Sequence, residues 1–114
     1  MSSLLVFRRA MGRPARNGET WWELVDACAS ADQPPAGVAL TRHSVNGATH
    51  VVSLAALSTP DHDLLPRLVR ELVAALRRTD TSLISIRGGR ADVDAALLAE
   101  DFQPAGDNLF LLHL

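Results

Sequence analysis

The chain has no lysine, no tyrosine and a single cysteine, Cys28. One thiol cannot form an intrachain disulfide, and no cysteine cluster is present for a structural zinc, which fits a reducing, cytoplasmic setting. All 11 basic residues are arginine. With the abundance of Ala, Leu and Asp, this reads as the codon usage of a GC-rich bacterial genome and not as a choice of arginine chemistry. Long apolar runs are also missing: none approaches the roughly 20 residues of a membrane-spanning helix. The run Ser2–Phe7 is too short for a signal sequence and is followed, not preceded, by Arg8 and Arg9. No excess of positive charge exists either, since 11 basic residues face 13 acidic ones for a net charge of −2. Phosphate affinity needs local positive charge, so neither a membrane nor a nucleic acid is an expected partner.

What is present is core-forming material. In 114 residues, 47% are hydrophobic, enough for one domain spanning 1–114. Its centre is Thr49–Arg78. Thr49 to Leu57 reads as a strand that lacks clean alternation, as expected where both faces are covered. A short loop follows, then a helix in which Leu64, Leu65, Leu68, Val69, Leu72, Val73 and Leu76 make one broad apolar stripe. Arg67, Arg70, Glu71, Arg77 and Arg78 take the remaining surface.

Around this centre the chain reads in order. Ser3–Ala10 is a short apolar strand, and Gly12–Gly18 is a loop. Arg8, Arg9, Arg13 and Arg16 form the local basic cluster, read as a solvated loop. Thr20 with Glu23 three residues on resembles a capping box, which predicts a helix from Trp21 to about Ala31. Cys28 would lie in its apolar pattern as a buried, inert thiol. Two adjacent tryptophans cannot both enter one core from a helix, so one of Trp21 and Trp22 is expected at an edge. Asn46-Gly47 between β-rich runs (Gly37–Val45 and Ala48–Ser58) predicts a hairpin that opposes His43 to His50. Two imidazoles need a third ligand to hold a metal. Only His62 or Asp63 is tempting, beyond the strand end, so no metal site is expected. Asp61 and Asp63 suit a helix N-terminus. Ser82–Arg87 reads as a strand, Gly88-Gly89 as a turn, Asp92–Phe102 as a helix and Leu109–Leu114 as a last strand. No Walker or dinucleotide fingerprint is present. The expected order is β-α-β-β-α-β-α-β: an α/β fold with a mixed sheet, antiparallel plus parallel, and helices on both faces. Residues 3–87 alone would also spell β-α-β-β-α-β, so a ferredoxin-like fold with an added αβ unit is the alternative.

From Gly37 to Leu114 the order resembles the GNAT superfamily of acyl-CoA-dependent N-acyltransferases. The carriers are the hairpin, Leu57-Ser58-Thr59-Pro60 before a long helix, and Ala95–Pro104, which is similar to the family's A-x-x-L-Y-x-x-x-G-F-x-P helix end. The resemblance implies a pyrophosphate cradle, R/Q-x-x-G-x-G/A, on Asp63–Leu68. Its glycines let backbone N–H groups approach the cofactor at a helix N-terminus. Here Pro66 lacks an N–H, Leu68 adds bulk, and Asp61 and Asp63 repel an anion. The family's tyrosine acid falls on Leu97, and the glycine before the aromatic falls on Asp101. Little room remains for two N-terminal helices.

The expected function is therefore a GNAT-like protein without the usual acyl-CoA pyrophosphate cradle: a non-catalytic accessory or interaction module with no cofactor and a protein partner, which could be a second copy paired through the apolar strand Leu109–Leu112. One alternative is a divergent acyltransferase using acetyl-CoA or another acyl-CoA. Leu57 and Thr59 would then meet the pantetheine arm, and His50, His62 or Asp63 would be candidate bases. The other is a ferredoxin-like module that binds a small ligand.

Overall fold

In the computed structural model, which describes residues 4–10, 12–28 and 33–114, the first half of the chain is all strand: β1 (Leu5–Arg9), β2 (Glu19–Asp26), β3 (Gly37–Asn46) and β4 (Thr49–Ser58). The helix expected from Trp21 is β2, and Ala29–Ala31 at its expected end lie outside the described residues, as does Ser3 at the expected start of β1. The reason is alternation. Trp22 and Leu24 are buried on one face, while Trp21, Glu23 and Val25 are half-buried on the other. Backbone pairing on both sides, to β1 and to β3, outweighs a capping box worth about 1 kcal/mol. The two tryptophans thus separate across a sheet. Cys28, past the end of β2, is exposed and not buried, because no helix carries it inward.

A 3-10 turn (His62–Leu64) leads from β4 into α1 (Leu65–Arg77), and β5 (Leu83–Arg87), α2 (Ala91–Ala99), β6 (Gln103–Pro104) and β7 (Leu109–His113) follow. The sheet runs β1-β2-β3-β4-β5-β7-β6. β4 and β5 are parallel, and the other neighbours are antiparallel. That order excludes the ferredoxin-like alternative, since the described part of 3–87 holds five strands and one long helix instead of β-α-β-β-α-β. The α/β class and the mixed sheet stand.

The parallel step from β4 through α1 to β5 is a right-handed crossover by rule, which fixes the face that α1 covers, and α2 packs beside α1 on that face. There Leu65, Val69, Leu72, Val73 and Leu76 of α1 and Ala96 and Leu97 of α2 share one core with Trp22, Ala39, Val52, Ile84, Ile86, Phe110 and Leu112 of the strands. Each fully buried Leu, Ile or Phe contributes about 1.5–3 kcal/mol. The second face, expected to carry a helix as well, has none among the described elements, because the segment read as that helix is β2. Trp21, Val25, Val38, Leu40, Leu83 and Leu111 lie half-buried along it. Over Trp21 sit the Arg13 guanidinium, 5.1 Å from the ring, and the Pro14 carbonyl, which accepts from Trp21 Nε1–H at 3.0 Å.

The α2 C-terminus explains one departure from the family pattern. The Phe102 N–H reaches the Leu97 carbonyl and the Asp101 N–H the Leu98 carbonyl, both at 3.1 Å. This is a Schellman closure, with Asp101 at φ 69° in the left-handed region where glycine is least strained. Asp101→Gly is expected to raise the unfolding free energy by about 0.5–1 kcal/mol, read by urea denaturation. A loss instead would mean that the aspartate side chain stabilises the turn locally.

Candidate functional site

The parallel pair β4–β5 opens partway along. Val51, Val52 and Ser53 pair with Leu83, Ile84 and Ser85, and pairing stops there. The register with β3 slips between Leu40 and Thr41, so Ala55 is left as an extra residue on β4. A bulge bends its strand and increases the local twist, and here it accompanies the parting from β5. The edge of β4 from Leu54 to Leu57 therefore has no β5 partner. A cleft of about 650 Å3 fills the gap, with Leu54, Ala56 and Leu57 on one wall, Ser85 and Arg87 on the other, and Val93 of α2 behind. A smaller hollow of about 250 Å3 adjoins it at Leu57, Arg90 and Val93 and extends along Thr59, Pro60 and His62. Backbone groups left open on a strand edge can take an extended amide-bearing ligand. The polar side chains of the main cleft are Ser53, Ser85, Arg87 and Arg90; no carboxylate, imidazole or thiol among the described residues lines it.

At the mouth, the loop before α1 spends its polar groups on itself. The Asp61 carboxylate accepts from the Asp63 amide at 3.0 Å. The Leu64 amide donates to the Asp61 carbonyl at 3.0 Å, and the Leu65 amide to the His62 carbonyl. Pro66, in the first turn of α1, has no N–H to offer. The Thr59 hydroxyl reaches the Ala36 carbonyl at 2.8 Å and the Asp61 carbonyl at 3.0 Å.

Beside this loop stands a group that went unread in the sequence. Arg90 holds Asp92 through two contacts, Nε–Oδ1 at 3.1 Å and Nη2–Oδ2 at 2.6 Å. His62 Nδ1 lies 3.0 Å from the same Oδ2. The Arg90 hydrogen bonds, then the His62 contact, hold the Asp92 carboxyl well below the usual carboxylate range. Arg90 is in turn held protonated more firmly by Asp92. The only available signal was Arg-x-Asp at the start of a helix. Because the folded value is depressed, the stabilisation is complete above the unfolded value and fades as pH falls through the folded one. The stability gap between the native chain and Asp92→Asn should be widest near neutral pH and narrow progressively as pH falls below about 4, as urea midpoints across a pH series would show. A gap that stays constant as pH falls from about 4 towards about 2 would contradict this.

The candidate residues do not converge. Leu57 lines both hollows and Thr59 the smaller one. His62 lines the smaller hollow but is tied to Asp92, and Asp63 is exposed. His50 sits at the opposite end of β4, beside His43, with His43 Nε2 to His50 Nδ1 at 3.2 Å. The two histidines are diagonal neighbours and not directly opposed, since His43 pairs with Val52 and His50 with Val45. The tight loop is Gly47-Ala48 instead of Asn46-Gly47, with Gly47 at φ 64° in the first central position that a II′ turn reserves for glycine. Moving the loop by one residue shifts each partner by two, which preserves the face and so keeps the imidazoles together.

The sequence matches no protein-family model. It also matches no curated protein. Solved structures do resemble it. A subunit of the NatC complex bound to Gag peptide and CoA superposes with a TM-score of 0.63 at 15% identity, over 82% of this chain and 70% of that one. The fold is GNAT-like. A point mutant of TTHA1254 from Thermus thermophilus gives 0.59 at 20% identity over 75% of this chain. The GNAT-like chain spans 63% of the length of TTHA1254. A chain of the KacTA–DNA complex gives 0.57 at 16% identity, over 87% and 70% of the two chains. At these identities the likeness establishes the fold. The sequence resemblance put the pantetheine arm at Leu57 and Thr59, which line these hollows, and the pyrophosphate on Asp63–Leu68, which runs from the 3-10 turn into the first turn of α1. No helix among the described residues is long and apolar enough to cross a membrane.

Proposed function

We propose that this GNAT-like chain is a protein-binding module and not an acetyl-CoA-dependent transferase. The observation that carries the reading is the loop before α1. An anion seat needs free amides and positive potential; this one offers the Asp61 and Asp63 carboxylates, amides already bonded within the loop, and a proline. Two further features support it. No described side chain lining the main cleft can act as a general base on an amine. The sheet face that carries no described helix, with Leu40 and Leu83 half-buried and Trp21 partly covered by Arg13 and Pro14, is the kind of surface a protein partner covers. A nucleic acid is the weaker partner for this face, since Arg8 and Arg42 there are paired with Glu23 and Glu19, each at 2.9 Å.

Isothermal calorimetry with CoA, acetyl-CoA and longer acyl-CoAs tests the first half of the proposal. No heat is expected from any of them, and saturable binding of one would overturn it. Light scattering and co-purification test the second half. A stoichiometric partner, or a homodimer, is expected, and it should dissociate when Leu40 and Leu83 are both replaced by Asp. A chain that stays monomeric and captures nothing would remove this half.

One observation favours a divergent acyltransferase as the second reading. The unpaired edge of β4 at Leu54–Leu57, with Arg87 and Arg90 on the rim, fits an extended thioester arm held without a loop cradle. In that case a thioester of N-acetylcysteamine, which lacks the nucleotide, would bind as well as the full acyl-CoA.

A further inference from the structure

At the far end of β4 from the cleft, three donors from three separate elements meet. His43 Nε2 on β3 lies 3.2 Å from His50 Nδ1 on β4, and His50 Nδ1 lies 3.5 Å from Asp80 Oδ2 in the loop between α1 and β5. All three ligand atoms fall within 4.8 Å of one another. Donors about 2.1 Å from a tetrahedral ion stand about 3.4 Å apart; the two spacings through His50, 3.2 and 3.5 Å, match this, and the third lies within 4.8 Å. The backbone holds the set together: the Ser82 amide donates to the His50 carbonyl at 2.8 Å, and the His43 amide to the Gly18 carbonyl at 2.7 Å. Thr79 and Thr81 brace the loop through a 2.7 Å hydroxyl contact.

His50 Nδ1 faces both an imidazole nitrogen and a carboxylate, and it carries one proton at most. A cation satisfies all three donors at once. We propose that His43, His50 and Asp80 bind one divalent metal ion of the zinc class. Two imidazoles and a carboxylate suit Zn2+, or Co2+ and Ni2+ in its place, and not the all-oxygen preference of Mg2+ or Ca2+. Asp80, with its side chain 75% exposed, is the ligand that closes onto the ion. His43 and Asp80 also wall an open hollow of about 330 Å3 that reaches Trp22 and Thr41. The ion would clamp the hairpin tip to the loop after α1. The main cleft begins at Ser53, three positions and roughly 10 Å along β4 from His50, and none of the three metal-site residues lines it.

The test uses the untagged chain, stripped with a chelator and titrated with Co2+. One cobalt per chain is expected, with the visible bands of four- or five-coordinate cobalt, displaced by Zn2+. Zn2+ should also raise the melting temperature, since it binds the folded chain. His43→Gln and Asp80→Asn change exposed side chains and should leave the metal-free melting temperature nearly unchanged. Each should weaken cobalt binding by more than the roughly 10- to 100-fold that loss of an outer partner of a metal site costs. His113→Gln, a histidine outside the cluster, should bind like the native chain. The proposal is overturned if the native chain shows neither cobalt bands nor a zinc-dependent melting shift, or if the His43→Gln/Asp80→Asn double variant binds as tightly as the native chain.

Discussion

Phe102→Ala is expected to lower the unfolding free energy by about 3–5 kcal/mol. Phe102 is 1% exposed and stands first among the largest fully buried side chains. It is also the residue whose amide closes the end of α2, onto the Leu97 carbonyl. The substitution removes a ring from the core shared by α2, Phe110 and the sheet, and the backbone closure around it restricts collapse of the cavity. Set against a total stability of about 5–15 kcal/mol, the loss shifts the melting temperature by more than about 10 °C. Phe102→Leu keeps most of the volume and should cost much less. Thermal and urea unfolding of the two variants decide the matter; a loss below about 1 kcal/mol for the alanine variant would mean that this end of the core is loosely filled.

Trp22→Ala should cost a similar 3–5 kcal/mol, and Trp21→Ala far less, about 1 kcal/mol. Trp22 enters the core, stacks on Phe7 with ring centroids 5.5 Å apart, lies under the Arg9 guanidinium, and donates its indole N–H to Thr41 Oγ1 at 2.9 Å. Trp21 points the other way, half-buried on the bare face. The contrast follows from strand alternation. Each variant keeps one tryptophan, so fluorescence reports which indole is shielded: a blue-shifted spectrum is expected from Trp22 and a red-shifted one from Trp21. Equal costs, or the same emission from both, would contradict a strand at Glu19–Asp26.

The part of the chain from Gly37 onward was legible because its signals are local and agree with one another. The α1 stripe, the hairpin glycine, the punctuation at Gly88-Gly89 and the close at Phe102-Gln103-Pro104 each specify their own neighbourhood. The resemblance to the GNAT superfamily rests on those same residues. Glu19–Asp26 misled because its short-range signal, Thr20 with Glu23, competes with long-range pairing to β1 and β3 that no window along the chain contains. The error carried through to the helix count, to the burial of Cys28 and to the face that now stands bare. The cleft side chains were hidden for a related reason. Arg87, Arg90 and the Asp92–His62 contact are ordinary polar residues until the fold brings α2 beside the loop before α1.

By itself the sequence determined the α/β class, the long amphipathic helix, the hairpin and the poverty of amides and glycines ahead of that helix, since each depends on residues within one or two turns of one another. Only the tertiary structure decided which sheet face is covered, where β4 parts from β5, and that Asp80 stands with His43 and His50. Those facts depend on register and crossover hand, which bring together side chains that lie tens of residues apart in the sequence.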